Sequence, residues 1–340
     1  MNMVRHPRPP AIDTLRCTPR RGLDAIASAD HRALVADVLS SGLVDTLIEL
    51  TDPFDPSANL AQARADADTL DREFKAFGVR IPAATIRNIT MMRAIMVPIE
   101  DDALALAVDR IWVFTTNTDD VCCHDRAEAE AILRAGMTPE TTPSTPNTRY
   151  IRHMFAEIAR HCDPSFLAVF KSFFYNAITG VLMEAEFTPE VSDDVDSDFV
   201  RVFNGFSQFW FTSVQFCDPC LSARRHGAFW AAALSSGVAF LNDVNDVLSF
   251  YKEAVHGADF AASRIYRRSI QENLPYLAVY RQSLDGGLAA YRRILELATD
   301  EQRPHLDRYL TGFAYWHFHC RRYRWQDIYP DLTPIELTAT

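Results

Sequence analysis

Asn245, Ser249 and Glu253 recur at steps of four in the stretch Asn245-Asp246-Val247-Leu248-Ser249-Phe250-Tyr251-Lys252-Glu253. On an α-helix, at about 100° per residue, they fall within roughly 80° of one another on one face. An amide oxygen, a hydroxyl and a carboxylate converging there suit a hard cation. Mg²⁺ takes such oxygen donors and completes its shell with water and substrate phosphate oxygens. The same stripe would also suit a polar helix end facing solvent. The preceding Asn242-Asp243 pair does not repeat the pattern, because positions 246 and 250 hold Asp and Phe.

A second acidic group follows the aromatic, apolar segment from Ile111. Asp119 and Asp120 are adjacent, and Asp125 comes five residues later. Neighbouring carboxylates against an apolar wall are costly unless a cation neutralises them. Alone, such a pair reads as a solvated helix end. Paired with the triad, it makes two oxygen-rich sites on separate helices that could clamp Mg²⁺ ions around a diphosphate.

A diphosphate also needs donors. Lys252 lies inside the triad, and Arg321-Arg322-Tyr323-Arg324 follows Trp316. Arg201 stands in the otherwise apolar, aromatic segment Phe199 to Gly205. The guanidinium fork matches phosphate oxygens; each cation alone also suits a surface ion pair. Gly205 costs a helix about 1 kcal/mol against Ala, which invites a backbone break or close approach of a ligand.

These groups need helices to carry them. Apolar residues at 3–4 spacing predict helices over 21–49, 60–77, 81–97, 103–120, 147–162, 165–187, 199–216, 222–254, 258–273, 274–298 and 301–325. Gly is scarce, at 12 of 340 residues, and no alternating strand pattern or Asn-Gly hairpin occurs. The expectation is one all-α domain over 21–330 with ten to twelve helices. Residues 1–20, rich in Pro and Arg, read as a flexible arm, 188–198 as an acidic loop and 331–340 as a tail.

Composition narrows the partners. A net charge of −11 argues against nucleic acid or anionic membrane. Seven Cys without framework spacing suggest reduced thiols in the cytoplasm. Cys217-x-x-Cys220 lacks a second pair or a His cluster, so it does not read as zinc or redox chemistry. The N-terminus has no secretory core. The apolar stretch 226–241 runs straight into the polar triad and reads as a buried helix.

The stretch Asn245 to Glu253 resembles the second metal motif, N-D-x-x-S-x-x-x-E, of class I terpene synthases. Its Ser-Phe-Tyr-Lys-Glu ending is most similar to the fungal trichodiene synthase family of sesquiterpene cyclases. Asp119-Asp120 takes the place of the aspartate-rich motif, and Arg322-Tyr323 resembles the C-terminal Arg-Tyr pair. Arg201, Asn204 and Gly205 sit where such enzymes place the diphosphate sensor, linker and effector. Order and spacing match from Trp112 to Trp325. One departure is that Cys122, Cys123 and His124 fill the places before Asp125, where the family carries D-D-x-x-D. Those residues could weaken metal binding or favour softer ions.

The resemblance implies a helical bundle around a deep apolar pocket, with farnesyl diphosphate as substrate. It implies Mg²⁺, three ions in such enzymes, or Mn²⁺ in its stead, on Asp119, Asp120, Asn245, Ser249 and Glu253. Arg201, Lys252, Arg322 and Tyr323 would hold the diphosphate as it departs. Aromatic faces would then shield the allylic cation, with Trp112, Phe114, Phe209, Trp210 and Trp316 as pocket candidates. Segments 119–126 and 254–262 and the loop after Tyr323 would order on ligand. A homodimer is compatible with the family. Alternatives are an enzyme that ionises an isoprenyl diphosphate without cyclising it, a prenyl-transferring homologue, and a degenerate isoprenoid-binding protein. No second D-D-x-x-D and no D-x-D-D motif is present.

Overall fold

Side-chain caps start several helices. Ser28 accepts from His31 N at 3.2 Å. Asp101 accepts from Ala103 N at 2.9 Å and Leu104 N at 3.0 Å. Thr145 and Thr148 form a reciprocal capping box. Each satisfies backbone donors that a helix leaves open at its first turn. The structure, a computed structural model, describes residues 22–52, 54–56, 60–138, 142–187, 197–204, 206–335 and 337, with backbone alone at 120, 122, 123, 184–187, 197 and 258. The expected N-terminal arm, most of the acidic loop 188–198 and Gly205 therefore lie outside the described residues, as does the Asp120 side chain.

Fifteen α-helices are present among the described residues, and no strand. They are α1 (Ala29–Ser40), α2 (Leu43–Thr51), α3 (Leu60–Phe77), α4 (Ala83–Met96), α5 (Asp102–His124), α6 (Arg126–Met137), α7 (Pro146–Ile158), α8 (Pro164–Phe187), α9 (Ser197–Asn204), α10 (Ser207–Thr212), α11 (Gly227–His256), α12 (Ala258–Ala262), α13 (Arg264–Gln271), α14 (Tyr276–Leu297) and α15 (Arg303–His319). Short 3₁₀ turns cover Ser213–Phe216, Pro219–Leu221, Arg321–Tyr323 and Trp325–Asp327.

The all-α expectation holds, and the extra helices arise from breaks that the apolar spacing could not show. Gly42, at φ 71°, divides the expected 21–49 helix. Phe206, at φ 51°, starts α10 in the left-handed region and divides 199–216. Ser263 is extended and caps α13, which divides 258–273. Helix α6 occupies a span with no helix expected. The segments 119–126 and 254–262, expected to order on ligand, are mostly helical as they stand, in α5, α6, α11 and α12.

Two charge clusters fix α5. Arg93 of α4, Asp109 of α5 and Asp66 of α3 are buried together. Arg93 meets Asp109 through two bonds of 2.8 and 2.6 Å and Asp66 at 3.2 Å. Burial and the Asp109 carboxylate push Asp66 up to about 8. At the next residue, Arg110 grips Glu73 at 2.8–3.0 Å, and the Tyr150 hydroxyl donates to the same carboxylate at 2.8 Å. Charges taken from water need such partners. The pairs lock α5 in rotation, and with it the direction of Asp119.

The central helix α11 is buried at Phe240, Leu241, Val244, Val247, Leu248 and Tyr251, as its apolar run requires. Three hydroxyl and indole donors pin its later half. Tyr280 donates to the Val247 carbonyl at 3.1 Å, Trp325 to Leu248 at 3.0 Å, and Tyr251 to Gly22 at 2.8 Å. Helix α9 lies close on α8 at Gly180, where a methyl group would sit 2.6 Å from the Asn204 nitrogen. Pro164–Met183 in α8 is long and apolar enough to cross a membrane, with 33% of its apolar window buried; it packs on α5 and α9.

Candidate active site

Three helices change character in the same direction along the chain. On α5, Thr115 and Thr116 precede Asp119; on α11, Leu241 precedes Asn245, Ser249 and Glu253; on α15, Phe313 and Trp316 precede Arg322 and Tyr323 in the following turn. All of these residues line one cavity of about 520 Å³. The ionic groups thus lie at the C-terminal ends of the three elements, where exposed carbonyls favour positive charge.

Steps of three and four on α11 place Asn245, Ser249, Lys252 and Glu253 on the cavity side. The Ser249 hydroxyl donates to the Asn245 carbonyl at 2.5 Å and lies 3.4 Å from Asn245 Oδ1. That separation approaches the roughly 3 Å between neighbouring ligands of an octahedral ion with 2.1 Å bonds. Burial pushes Glu253 up to about 7, with Asp246 and Asp259 adding to the effect and Lys252 opposing it. A buried carboxylate beside an amide and a hydroxyl oxygen is a donor set that fits Mg²⁺ or Mn²⁺.

The cations surround this set. Arg201 of α9 donates to Asn245 Oδ1 at 2.8 Å and pairs with Asp246 at 3.0 Å. Burial lowers Lys252 below its ordinary range, with Arg322 and Arg201 also lowering it against Glu253. Its ammonium stands 5.8 Å from the Tyr323 ring centre. Burial holds the Tyr323 hydroxyl well above its usual range. Arg264 pairs with Asp246 at 2.8 Å, with Asp198 at 3.3 Å and with Asp243.

Most of the sequence-derived candidates line this cavity: Asp119, Arg201, Asn204, Trp210, Asn245, Ser249, Lys252, Glu253, Trp316, Arg322 and Tyr323. Four candidates do not. Trp112 is fully buried behind Trp210, with ring centres 4.4 Å apart, and its indole donates to Ser213 at 3.2 Å. Phe114 packs on Tyr150 and Phe209 on Phe170. Asp125 turns away to cap α6, accepting from Glu128 N at 3.0 Å. In each case a helix phase or a cap decides, and neither is visible in spacing from the acidic pair.

Sequence reasoning missed Arg264, Arg267, Asp259 and His317, all on the cavity wall. Burial drives His317 down to about 3. The first three belong to the short helices after α11, where no periodic signal separates a cavity face from a surface. Outside the cavity, Asp218, Cys220 and His305 bring ligand atoms within 4.8 Å of one another. His305 thus supplies the histidine that the Cys217-x-x-Cys220 reading lacked, while Cys217 stays out of the group. Cys162, Cys217, Cys220 and Cys320 are free thiols.

No protein-family model and no curated protein matches the chain. Solved structures do. Germacradien-4-ol synthase from Streptomyces citricolor matches with a TM-score of 0.58 at 14% identity, over 79% of this chain and 94% of that one. A mutant of the SVS_A2 protein from ancestral sequence reconstruction matches with a TM-score of 0.57 at 13% identity, over 83% of this chain and 88% of that one. At such identities the likeness speaks for architecture, and the chain has the all-α fold of a terpene synthase.

Proposed function

We propose that the chain is a class I terpene synthase that ionises an isoprenyl diphosphate, farnesyl diphosphate by the motif resemblance, and cyclises the resulting C15 cation. The observation that carries the reading is the single cavity in which Asp119, the Asn245–Ser249–Glu253 stripe and the cations Arg201, Lys252 and Arg322 meet. Its volume, about 520 Å³, is that of a small-molecule site. The rest of its wall includes Ile89, Met92, Phe206, Trp210, Leu241 and Phe313. One end suits a diphosphate and the other an isoprenoid chain.

Asp119, Asn245, Ser249 and Glu253 would hold Mg²⁺, which when bound supplies positive charge to the leaving diphosphate. Arg201, Lys252, Arg322 and the Tyr323 hydroxyl would donate to its oxygens. Donors held by the fold ahead of the reaction would stabilise the departing charge most strongly. The C1–O bond breaks with its electron pair going to the diphosphate. Trp210, Phe313 and Trp316 then face the cation, each worth about 1–2 kcal/mol when desolvated, and the apolar wall excludes water.

The test is incubation of the purified protein with farnesyl diphosphate, with and without Mg²⁺, reading released diphosphate and volatile products. The expected result is Mg²⁺-dependent release with a cyclic C15 product, abolished in Asn245→Ala and Glu253→Ala. Linear alcohols alone would favour a non-cyclising enzyme. No release from farnesyl, geranyl or geranylgeranyl diphosphate would overturn the proposal.

A further inference from the structure

The Asn245 side chain has two unlike ends. Oδ1 can ligate a cation and Nδ2 cannot, and a half-turn about its last bond exchanges them. Arg201 donates to Oδ1 at 2.8 Å, but a cation taking that oxygen would displace it, so another neighbour must hold the choice. Asn245 Nδ2 lies 3.2 Å from His317 Nε2. On the same ring, His317 Nδ1 lies 2.8 Å from the Phe313 carbonyl oxygen. A carbonyl only accepts, so Nδ1 carries the proton and Nε2 presents its lone pair. That lone pair accepts from the amide NH₂ and has nothing to offer Oδ1 but repulsion.

The imidazole is itself immobile. His317 is fully buried, one turn after Phe313 on α15. Its ring centre is 4.4 Å from Phe313, 5.0 Å from Trp316 and 4.2 Å from Tyr323. Helix geometry fixes the tautomer, and the aromatic rings fix the plane.

We infer that His317 is a positioning residue that holds the Asn245 amide with its oxygen turned to the cation site. The inference rests on the proposed function, in which Asn245 is a metal ligand. Such outer partners are worth about 10- to 100-fold in metal affinity.

Mn²⁺ binding in the presence of inorganic diphosphate, followed by the paramagnetic resonance of free Mn²⁺, tests it without turnover. His317→Phe, which keeps a ring and removes the acceptor, should weaken binding about 10- to 100-fold. His317→Leu takes its place if the phenylalanine is not accommodated. His317→Gln, whose Oε1 can accept, should retain most of the affinity. In the Asn245→Asp background both oxygens are acceptors and orientation no longer matters, so His317→Phe should cost nothing there. Unchanged affinity in His317→Phe, or an equal loss in both backgrounds, would mean that the ring only fills space and would overturn the inference. Mn²⁺ binding that is absent in the parent protein, or unaffected by Asn245→Ala, would instead overturn the functional reading and this inference with it.

Discussion

Arg201 places its guanidinium 2.8 Å from Asn245 Oδ1, the oxygen that a cation would take. Its other partner, 3.0 Å away, is the Asp246 carboxylate. On the proposed function, a cation and Arg201 would compete for one atom, and an arriving cation would free the guanidinium to turn to a phosphate oxygen. Arg201→Met keeps the length of the side chain and removes the competitor. Mn²⁺ alone should then bind about 10- to 100-fold more tightly, the worth of one charge-assisted hydrogen bond at ~1.5–3 kcal/mol. Mn²⁺ with inorganic diphosphate should bind more weakly than in the parent. Titration calorimetry with and without diphosphate reads both; changes of the same sign would refute the competition.

Trp210 and Trp112 meet edge to face, and only Trp210 lines the cavity. Trp210→Leu should redistribute the terpene products in gas chromatography while shifting stability by less than about 2 kcal/mol. Trp112→Ala should instead lower stability by about 3–5 kcal/mol in denaturant unfolding, because it empties a fully buried site. If Trp112→Leu redirects products as strongly as Trp210→Leu, the cavity wall extends deeper than the lining residues indicate.

The Arg93 cluster makes stability depend on pH. Burial first, and the Asp109 carboxylate second, push Asp66 up to about 8, whereas its unfolded value is near 4. A folded value above the unfolded one favours the protonated acid in the native state. Its contribution is complete below about pH 4 and is lost as pH rises to about 8. Asp66→Asn keeps the neutral shape and does not titrate. Thermal unfolding should show parent and variant alike near pH 4.5, with the variant gaining on the order of 3–5 kcal/mol by pH 8. A gap that stays constant over that range would show that Asp66 is ionised throughout.

Much of the architecture was legible in the sequence because α3 and α14 carry clear apolar periodicity and α4 and α11 long apolar runs without proline. The polar stripe on α11 was equally legible, since one helix fixes the relation of Asn245, Ser249 and Glu253. What escaped was set by contacts between elements. His317 looks like any aromatic neighbour in Trp316-His317-Phe318 until α15 is laid beside α11. Asp125 looks like a third carboxylate until it is seen to start α6. The left-handed Phe206 falls at a residue type that rarely adopts it, so no local rule signals the break there.

The division of labour among helices has a bearing on how such a protein can change. Asn245, Ser249, Glu253 and Lys252 ride on one rod, α11, held by Tyr280, Tyr251 and Trp325. Much of the apolar wall belongs to α4, α10 and α15, with residues such as Ile89, Met92, Trp210 and Phe313. Substitutions at Ile89, Met92 or Trp210 would reshape the wall and leave the polar stripe of α11 in place, whereas Phe313, packed on His317, is tied to both. A wall and a polar stripe carried largely on different helices can vary separately, so the shape of the cavity can change while the oxygen donors of α11 keep their spacing.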